Sequence, residues 1–318
     1  MAAWTRQCFI ITNWNSIHLV LDLPYQPGGA ANPGCSRLSG GFVKTIPMSL
    51  RYRKIMRKVA LPSLIALIAA ALPQASPQSA LPRIRIILVG DSTMALKSGW
   101  GPGFCADVVE QVDCVNMAKG GRSSGSYRAE GSWAKVMDEL KLNSDYASTY
   151  VLVQFGHNDQ PGKPGRSTDL TTEFPANLRL YVDEVKSSGA KPVLITPLTR
   201  RSFKAGALTN NLEPWAAATK AVAAEKGVPL LELNADSVSA VQSMGPAEAN
   251  TLAMAPPPAA IVETAASGDS PAIPKSPAGS SAAFDYTHLG AKGSAFFARM
   301  VAAELVKAVP DLQPYFKP

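Results

Sequence analysis

Residues 84–94, IRIILVGDSTM, decide the expected fold of this 318-residue chain. The apolar, β-branched run is typical of a buried parallel strand, and Gly90-Asp91-Ser92 indicates a tight turn directly after it. Because open α/β sheets bind ligands at the carboxyl ends of their strands, Ser92 stands where a catalytic nucleophile would act. For this stretch alone, a turn that merely caps the following helix is the alternative.

The rest of the chain continues this alternation of strands and helices. Further strands are predicted at residues 112–117, 149–155, 191–196 and 228–233. Helices are predicted at residues 105–111, 132–142, 171–188, 213–226 and 291–306. Strands that alternate with helices indicate a parallel sheet covered on both faces. Residues 245–282 break the pattern, because alanine, proline, glycine and serine dominate them, and they are predicted to form a low-complexity, mobile loop.

The amino-terminal part of the chain has the order of a secretory signal peptide. A basic cluster, RYRKIMRK at residues 51–58, precedes an apolar run at residues 61–72 and then small, polar residues. We therefore expect a signal peptide at residues 48–80 and a mature domain at residues 81–318, secreted or periplasmic and free of the membrane after cleavage. Residues 1–47 are expected to be a non-native or disordered extension, and a genuine extension is the alternative. Since no cleavage site has the ideal form, an uncleaved anchor is the alternative.

The net charge of +7 belongs to this amino-terminal part. Residues 1–80 hold eight lysines and arginines against one acid, so residues 81–318 hold 23 residues of each sign. A formally neutral domain excludes nucleic-acid binding through bulk electrostatic attraction.

Cys105 and Cys114 are the two cysteines of the expected mature domain. An exported protein meets an oxidising compartment, where such a pair can form a disulfide. Two small buried thiols are the alternative, because spacing alone does not supply disulfide geometry.

The chain also supplies the partners that a nucleophilic serine needs. Asp285 lies three residues before His288, so one turn can hold the carboxylate against one imidazole nitrogen while the other nitrogen acts as a base toward Ser92. Asn158 follows another predicted strand, and its amide could join the backbone N–H of Gly121 in stabilising an oxyanion. Each feature alone is also ordinary turn or capping chemistry, but together they have complementary roles at one predicted sheet edge.

A second serine offers a competing nucleophile. Gly121-Arg-Ser-Ser-Gly125 fits the G-x-S-x-G nucleophile elbow of α/β-hydrolases, which would make Ser123 the reactive serine. That motif requires a sharp turn from strand to helix, whereas here a short strand precedes it and more predicted loop follows. The pattern therefore favours Ser92 over Ser123.

Five blocks carry a resemblance to a known family: GDSTM at 90–94, GGRSSGSYRAEGSW at 120–133, QFGHNDQ at 154–160, ITPLTRR at 195–201 and FDYTHLGAKG at 284–293. In this order they resemble the SGNH (GDSL-type) hydrolases, and in detail the rhamnogalacturonan acetylesterases. The resemblance extends over residues 84–310. The segment at 245–282 departs from the compact family pattern, which leaves the substrate detail open.

The resemblance implies a fold, a site and a reaction. The fold is α/β, a flavodoxin-like three-layer α/β/α sandwich with a central parallel sheet of about five strands. The implied catalytic residues are Ser92, Asp285 and His288, and the implied oxyanion hole is formed by Ser92, Gly121 and Asn158. The implied enzyme, a carboxylic ester hydrolase, removes O-acetyl groups from a rhamnogalacturonan-type pectic polysaccharide, with no metal or organic cofactor.

Further residues are candidates for contact with the substrate. Arginine pairs carboxylates in a bidentate manner, so Arg200 and Arg201 could meet galacturonate, although solvated loop charges are the alternative. The complete set of substrate-binding candidates is Asp91, Arg122, His157, Arg200 and Arg201.

Two other functions compete with a pectin acetylesterase. One is another SGNH esterase or acyltransferase, acting on xylan, cell-envelope glycans or lipids. The other is a carbohydrate-binding protein with a silent site, against which the complete catalytic set argues. The oligomeric state is left open.

Overall fold

The computed structural model describes residues 10–13, 16–18, 81–273 and 283–318. Strands β1 (Ile10–Asn13) and β2 (Ser16–His18) pair antiparallel. The predicted signal peptide at 48–80 lies outside the described residues. All further elements belong to the unit Pro77–Pro318.

The centre of this unit is a sheet of five parallel strands. The strands are β3 (Ile84–Gly90), β4 (Val112–Asn116), β5 (Ser148–Gln154), β6 (Lys191–Ile195) and β9 (Leu230–Leu231). Their order, β4-β3-β5-β6-β9, is that of flavodoxin-like folds, in which the first strand lies between the second and the third. Ligands in such sheets bind beyond the carboxyl end of the first strand, because the direction of winding changes there.

Helices cover both faces of the sheet. They are α1 (Gly101–Asp107), α2 (Ser124–Ala129), α3 (Ser132–Leu140), α4 (Glu173–Ser187), α5 (Glu213–Lys226), α6 (Leu233–Asn250), α7 (Ala259–Ala265) and α8 (Ala291–Ala308). Two 3₁₀ turns span Asn143–Asp145 and Pro310–Tyr315, and a small antiparallel pair joins β7 (Phe203–Lys204) to β8 (Ala207–Leu208).

Alternate residues of β3 enter two separate hydrophobic cores. Ile86 and Leu88 pack with residues of α1 and α8 on one face, whereas Ile87 and Val89 pack with residues of α3 and α4 on the other. Every residue of β3 is buried, which is why its sequence is a nearly continuous apolar run. The predicted three-layer α/β/α sandwich is therefore confirmed.

The predicted bounds of one helix were wrong at both ends. The helix expected at residues 105–111 instead runs over Gly101–Asp107, within sequence that looks like a glycine-rich loop. A Cβ atom at Gly103 would lie 2.8 Å from the carbonyl oxygen of Ser294. The glycine therefore allows α1 to pack closely on α8, and this tertiary contact outweighs the low helix propensity.

The prediction that residues 245–282 form a loop was also wrong in part. Helix α6 continues to Asn250 after a break at Gly245, and α7 follows at Ala259–Ala265. Both helices bury apolar side chains, such as Ala249 and Ile261. This burial offsets the cost of ordering a sequence rich in proline and alanine. Residues 274–282 of the predicted loop lie outside the described residues.

Cys105 and Cys114 form a disulfide, which settles the choice that the sequence left open. The bond ties α1 to β4, with the two Cα atoms 5.5 Å apart.

Within the described part of the chain, no helix has the length and apolar character needed to cross a membrane.

Candidate active site

The turn after β3 fixes Ser92 at the carboxyl edge of the sheet. A Cβ atom at Gly90 would lie 2.7 Å from the carbonyl oxygen of Gln154, so only glycine fits between these strands. The Asp91 carboxylate folds back and accepts from the backbone N–H of Thr93 at 2.9 Å and from its hydroxyl at 2.8 Å. This turn directs the next side chain, Ser92, away from the strand.

A buried network holds this turn in place. The Gln154 amide donates to the Thr93 hydroxyl at 2.6 Å, and the Trp100 indole donates to the Gln154 oxygen at 2.9 Å. From the other side, the Ser98 hydroxyl donates to the carbonyl oxygen of Ser92 at 2.8 Å. Because its neighbours are bonded to one another, the nucleophile is held rigidly before any substrate arrives.

A second turn, directly before α8, pairs Asp285 with His288. One carboxylate oxygen lies 2.6 Å from His288 Nδ1. The other accepts from the backbone N–H groups of Thr287 at 2.7 Å and of His288 at 2.6 Å. Partial burial opposes ionisation, but the hydrogen bonds and the charge interaction with His288 lower the pKa of Asp285 to about 2. The carboxylate therefore orients the ring through Nδ1 and leaves Nε2 for proton transfer.

The lowered pKa of Asp285 predicts a difference in stability between the wild type and Asp285→Asn that is present near neutral pH and disappears in acid. Since the folded pKa of about 2 lies below the ordinary value of about 3.9, the carboxylate stabilises the fold above pH ~4. That contribution is lost as the pH falls from about 4 toward 2, and Asp285→Asn should lack it throughout. Urea unfolding of both proteins between pH 2 and 6 measures this. The free energies of unfolding should converge toward low pH, and parallel curves would contradict the assignment.

Three donors at the cavity are candidates for the oxyanion hole. Among the described residues, neither the Ser92 nor the Gly121 backbone N–H donates to another group, and both residues line the same cavity as Asn158. Gly121 has a φ of 77°, a left-handed conformation that strongly favours glycine. Asn158 uses one amide hydrogen on the carbonyl oxygen of Arg122, at 3.0 Å, which leaves its second hydrogen for a ligand.

The nucleophile, the base and these donors meet in one cavity of about 930 Å³. Ser92, His288, Gly121 and Asn158 all line it, so the structure brings together residues from four separate segments of the sequence. The Ser92 hydroxyl and the His288 ring do not hydrogen-bond each other directly. Such catalytic contacts are often long without substrate and shorten in the reacting complex.

Two predicted substrate contacts were wrong, because the side chains are not accessible. Asp91 is fully buried; its carboxylate bonds to Thr93 and lies 3.4 Å from His157 Nδ1. Burial opposes ionisation of Asp91, but His157 and Thr93 nevertheless lower its pKa. Arg201 is also fully buried, and burial lowers its pKa to about 10.

Arg201 instead holds the Asp–His turn in place. Its guanidinium donates to the carbonyl oxygens of Asp285 at 2.8 Å, His288 at 3.0 Å and Thr287 at 3.3 Å. Its backbone N–H donates to Tyr286 at 2.8 Å. The residue that the sequence offered as a ligand for galacturonate is thus a support for the catalytic turn.

Of the other three predicted substrate contacts, two line the cavity and one does not. Arg200 and His157 line the cavity, the Arg200 guanidinium donating to the Asn211 side chain at 2.8 Å. Arg122 points to Glu130, at 2.8 Å, and does not line the cavity.

Three further cations line the cavity, Lys97, Lys163 and Arg166, and none of them was among the predicted substrate contacts. For Lys163 and Arg166, the available signal was their position shortly after the GHND block.

The competing nucleophile Ser123 has a structural role. It is fully buried and forms the N-cap of α2. Its hydroxyl accepts from the Ser126 backbone N–H at 3.1 Å, and the Ser126 hydroxyl accepts in return from the Ser123 N–H at 2.9 Å. This reciprocal capping box fixes the start of the helix and keeps Ser123 out of the cavity lining.

Comparison with known proteins identifies related enzymes. The GDSL-like lipase/acylhydrolase family matches residues 88–296, more than half of the chain. A probable rhamnogalacturonan acetylesterase, YesY of Bacillus subtilis, is 29% identical over 224 residues, covering 68% of this chain and 90% of that protein. The rhamnogalacturonan acetylesterase RhgT of the same organism is 35% identical over 177 residues, covering 53% of this chain and 73% of that protein.

A solved structure shares the fold. The crystal structure of the Bacillus subtilis protein YXIM aligns with a TM-score of 0.51 and 25% sequence identity. The alignment covers 71% of this chain and 56% of that one, so this chain spans just over half of its neighbour's length.

Proposed function

The chain belongs to the GDSL-like lipase/acylhydrolase family, and on that premise we propose that it is an exported serine esterase that removes O-acetyl groups from a rhamnogalacturonan-type polysaccharide. Family membership makes it a carboxylic ester hydrolase, and the relatives named rhamnogalacturonan acetylesterases support both the acetyl group and the polymer. The observation that carries the proposal is the single cavity in which Ser92, His288, Gly121 and Asn158 meet.

The first half of the reaction transfers the acetyl group to the enzyme. Ser92 Oγ attacks the acetyl carbonyl carbon while His288 Nε2 takes the hydroxyl proton. The carbonyl oxygen becomes an oxyanion, which accepts from the backbone N–H groups of Ser92 and Gly121 and from the Asn158 amide. When the carbon–oxygen bond to the sugar breaks, the imidazolium returns the proton to the departing sugar hydroxyl. Asp285 stays ionised and stabilises the imidazolium through Nδ1.

The second half releases acetate by the same groups. A water molecule loses a proton to His288 and attacks the acetyl-Ser92 carbonyl, and the same three donors hold the second oxyanion. Breakage of the Ser92 ester bond returns the proton to Oγ and frees acetic acid, which ionises in solution. The cycle needs no electron transfer and regenerates the starting enzyme.

The charge of the cavity supports an acidic polymer as the substrate. Lys163, Arg166 and Arg200 line it. Within the described residues their side chains bond to neutral oxygen atoms of His157, Asn158, Gly121 and Asn211 rather than to carboxylates. Positive charge that forms no direct ion pair within the protein can attract a carboxylate such as that of a uronic acid.

The cavity also has apolar lining residues. Its lining includes Met254, Ile273, Ala283 and Phe284. A sugar presents C–H faces as well as hydroxyl groups, so a wall of this kind fits a saccharide ring that lies across the catalytic serine.

Export is the part of the proposal that rests on sequence pattern. The basic cluster, apolar run and small residues within residues 48–80 have the order of a signal peptide. The Cys105–Cys114 disulfide supports this, since disulfides persist mainly in oxidising compartments. Amino-terminal sequencing of protein collected outside the cytoplasm tests it, and a mature chain that retained residues 1–47 would contradict it.

A panel of esters tests the substrate. Acetate release should have a higher kcat/KM on acetylated rhamnogalacturonan than on acetylated xylan, with a short neutral aryl acetate as the reference for chemistry alone. Because the carboxylate contacts are electrostatic, added salt should raise KM for the acidic polymer much more than for the aryl ester. Faster release from xylan, or equal salt dependence of the two substrates, would overturn the assigned polymer and leave the esterase chemistry standing.

A further inference from the structure

We infer that Lys163 is a positioning residue of the oxyanion hole, which holds and polarises the Asn158 amide during ester cleavage. The inference rests on the proposed esterase function. It concerns a residue in the middle of the loop between β5 and α4, whose ammonium contacts the oxygen end of the Asn158 amide rather than a reacting atom.

The ammonium of Lys163 contacts two oxygen atoms of the GHND block. It donates to the carbonyl oxygen of His157 at 2.5 Å, and it lies 3.4 Å from Asn158 Oδ1. Asn158 Nδ2 donates on its other side to the carbonyl oxygen of Arg122, at 3.0 Å. The amide is therefore bound at both ends by groups of opposite character.

These two partners allow only one orientation of the amide. A carbonyl oxygen can only accept a hydrogen bond and an ammonium can only donate one. If the Asn158 amide turned over, its oxygen would face the Arg122 carbonyl and its NH₂ group would face the Lys163 ammonium. Both contacts would be repulsive, so Lys163 keeps the NH₂ group directed to the cavity that holds Ser92.

The loop that carries Lys163 is itself fixed. The Lys163 backbone N–H donates to the Ser167 hydroxyl at 2.9 Å, and that hydroxyl donates to the Gln160 carbonyl at 2.8 Å. The loop closes where the Thr168 N–H donates to the Asp159 carbonyl at 3.0 Å. The loop thus returns to the residue next to Asn158, which gives the ammonium a defined position.

The position of the charge predicts an effect on the transition state. An ammonium beside Oδ1 draws electron density from the amide and makes its N–H groups stronger donors, an effect that is larger in a site with a low local dielectric. Oxyanion donors act mainly when charge develops on the substrate oxygen, so the contribution should appear in kcat. Lys163 would also attract an acidic polymer, which requires a test on a substrate without charge.

The test uses Lys163→Met on the purified protein with a neutral aryl acetate. Loss of one oxyanion donor costs about 100- to 1,000-fold in turnover, so weakening one should lower kcat roughly tenfold, with KM nearly unchanged. Lys163→Gln, which can still donate to Oδ1, should recover part of the loss. Lys97→Met is the matched control, because Lys97 lines the same cavity but makes no hydrogen bond to any of the three oxyanion donors, and its kcat on the neutral aryl acetate should equal that of the wild type.

A double-mutant cycle separates positioning from a general effect on the fold. Once Asn158 has been replaced by alanine, the change Lys163→Met should lower kcat no further, because the group it acts through is gone. The inference would be overturned if the two losses in kcat multiplied fully. It would also be overturned if Lys163→Met left kcat unchanged or raised only KM. Since the aryl acetate carries no carboxylate, a wrong polymer assignment leaves these outcomes unaffected, whereas absence of any esterase activity in the wild type would refute the proposed function itself.

Discussion

Replacement of Ser92 by alanine is expected to lower kcat for ester hydrolysis by roughly 10⁴- to 10⁶-fold, the range found when a triad nucleophile is removed. The loss should be this large because the variant lacks the oxygen atom that attacks the ester. Ser98 also lines the cavity, but its hydroxyl donates to the Ser92 carbonyl. Acetate release by the purified variant, measured against the uncatalysed rate, checks the expectation.

Ser123→Ala is the control for this loss. Ser123 caps α2 from a fully buried position, so its replacement should cost about 1 kcal/mol of stability and leave most of the activity. The opposite pattern, an active Ser92→Ala and an inactive but folded Ser123→Ala, would make the G-x-S-x-G motif the true nucleophile elbow.

The second large loss is expected at the base. His288→Ala should reduce kcat nearly as much as Ser92→Ala, because groups that act as one unit show strongly non-additive losses. The double variant should consequently be little worse than either single one. Steady-state kinetics of the three proteins measures this, and independent, multiplying losses would contradict a shared proton-transfer role.

The variant Asp285→Asn tests how much the carboxylate contributes by orienting His288, separately from proton transfer by His288 itself. The carboxylate lies 2.6 Å from His288 Nδ1, and its other oxygen receives two backbone N–H groups. An asparagine keeps much of the shape but loses the charge, so its activity should lie between those of the wild type and His288→Ala. An Asp285→Asn enzyme with full activity would show that the carboxylate does not support the imidazolium.

The sheet and the catalytic residues could be predicted because short-range chemistry determines them. The run before Gly90 is apolar at every residue but one, and such a run has few alternatives to a buried strand. Once the strands are placed, parallel order brings their carboxyl ends to one edge. The turns after β3 and β5 and the Asp–His turn then carry Ser92, Asn158 and His288 to the same cavity.

Other features were missed because they depend on contacts between distant parts of the chain. A glycine in α1 is unfavourable locally and becomes useful only where α8 approaches within contact of Gly103. Arg200 and Arg201 are neighbours of one residue type, yet the first lines the cavity and the second is buried under the Asp–His turn. The sequence pattern gives no sign of this difference. The difference depends on which backbone carbonyl oxygens still lack a hydrogen-bond donor once the chain has folded.

Labelling with an organophosphorus ester, followed by peptide mass mapping, tests the central claim that Ser92 is the nucleophile activated by His288. The account predicts one phosphonylated serine, Ser92, with labelling and activity loss proceeding at the same rate. In His288→Ala the rate of labelling should fall steeply, because the serine has lost its base. Labelling of Ser123 in place of Ser92, or unchanged labelling of Ser92 in the His288→Ala protein, would contradict the account.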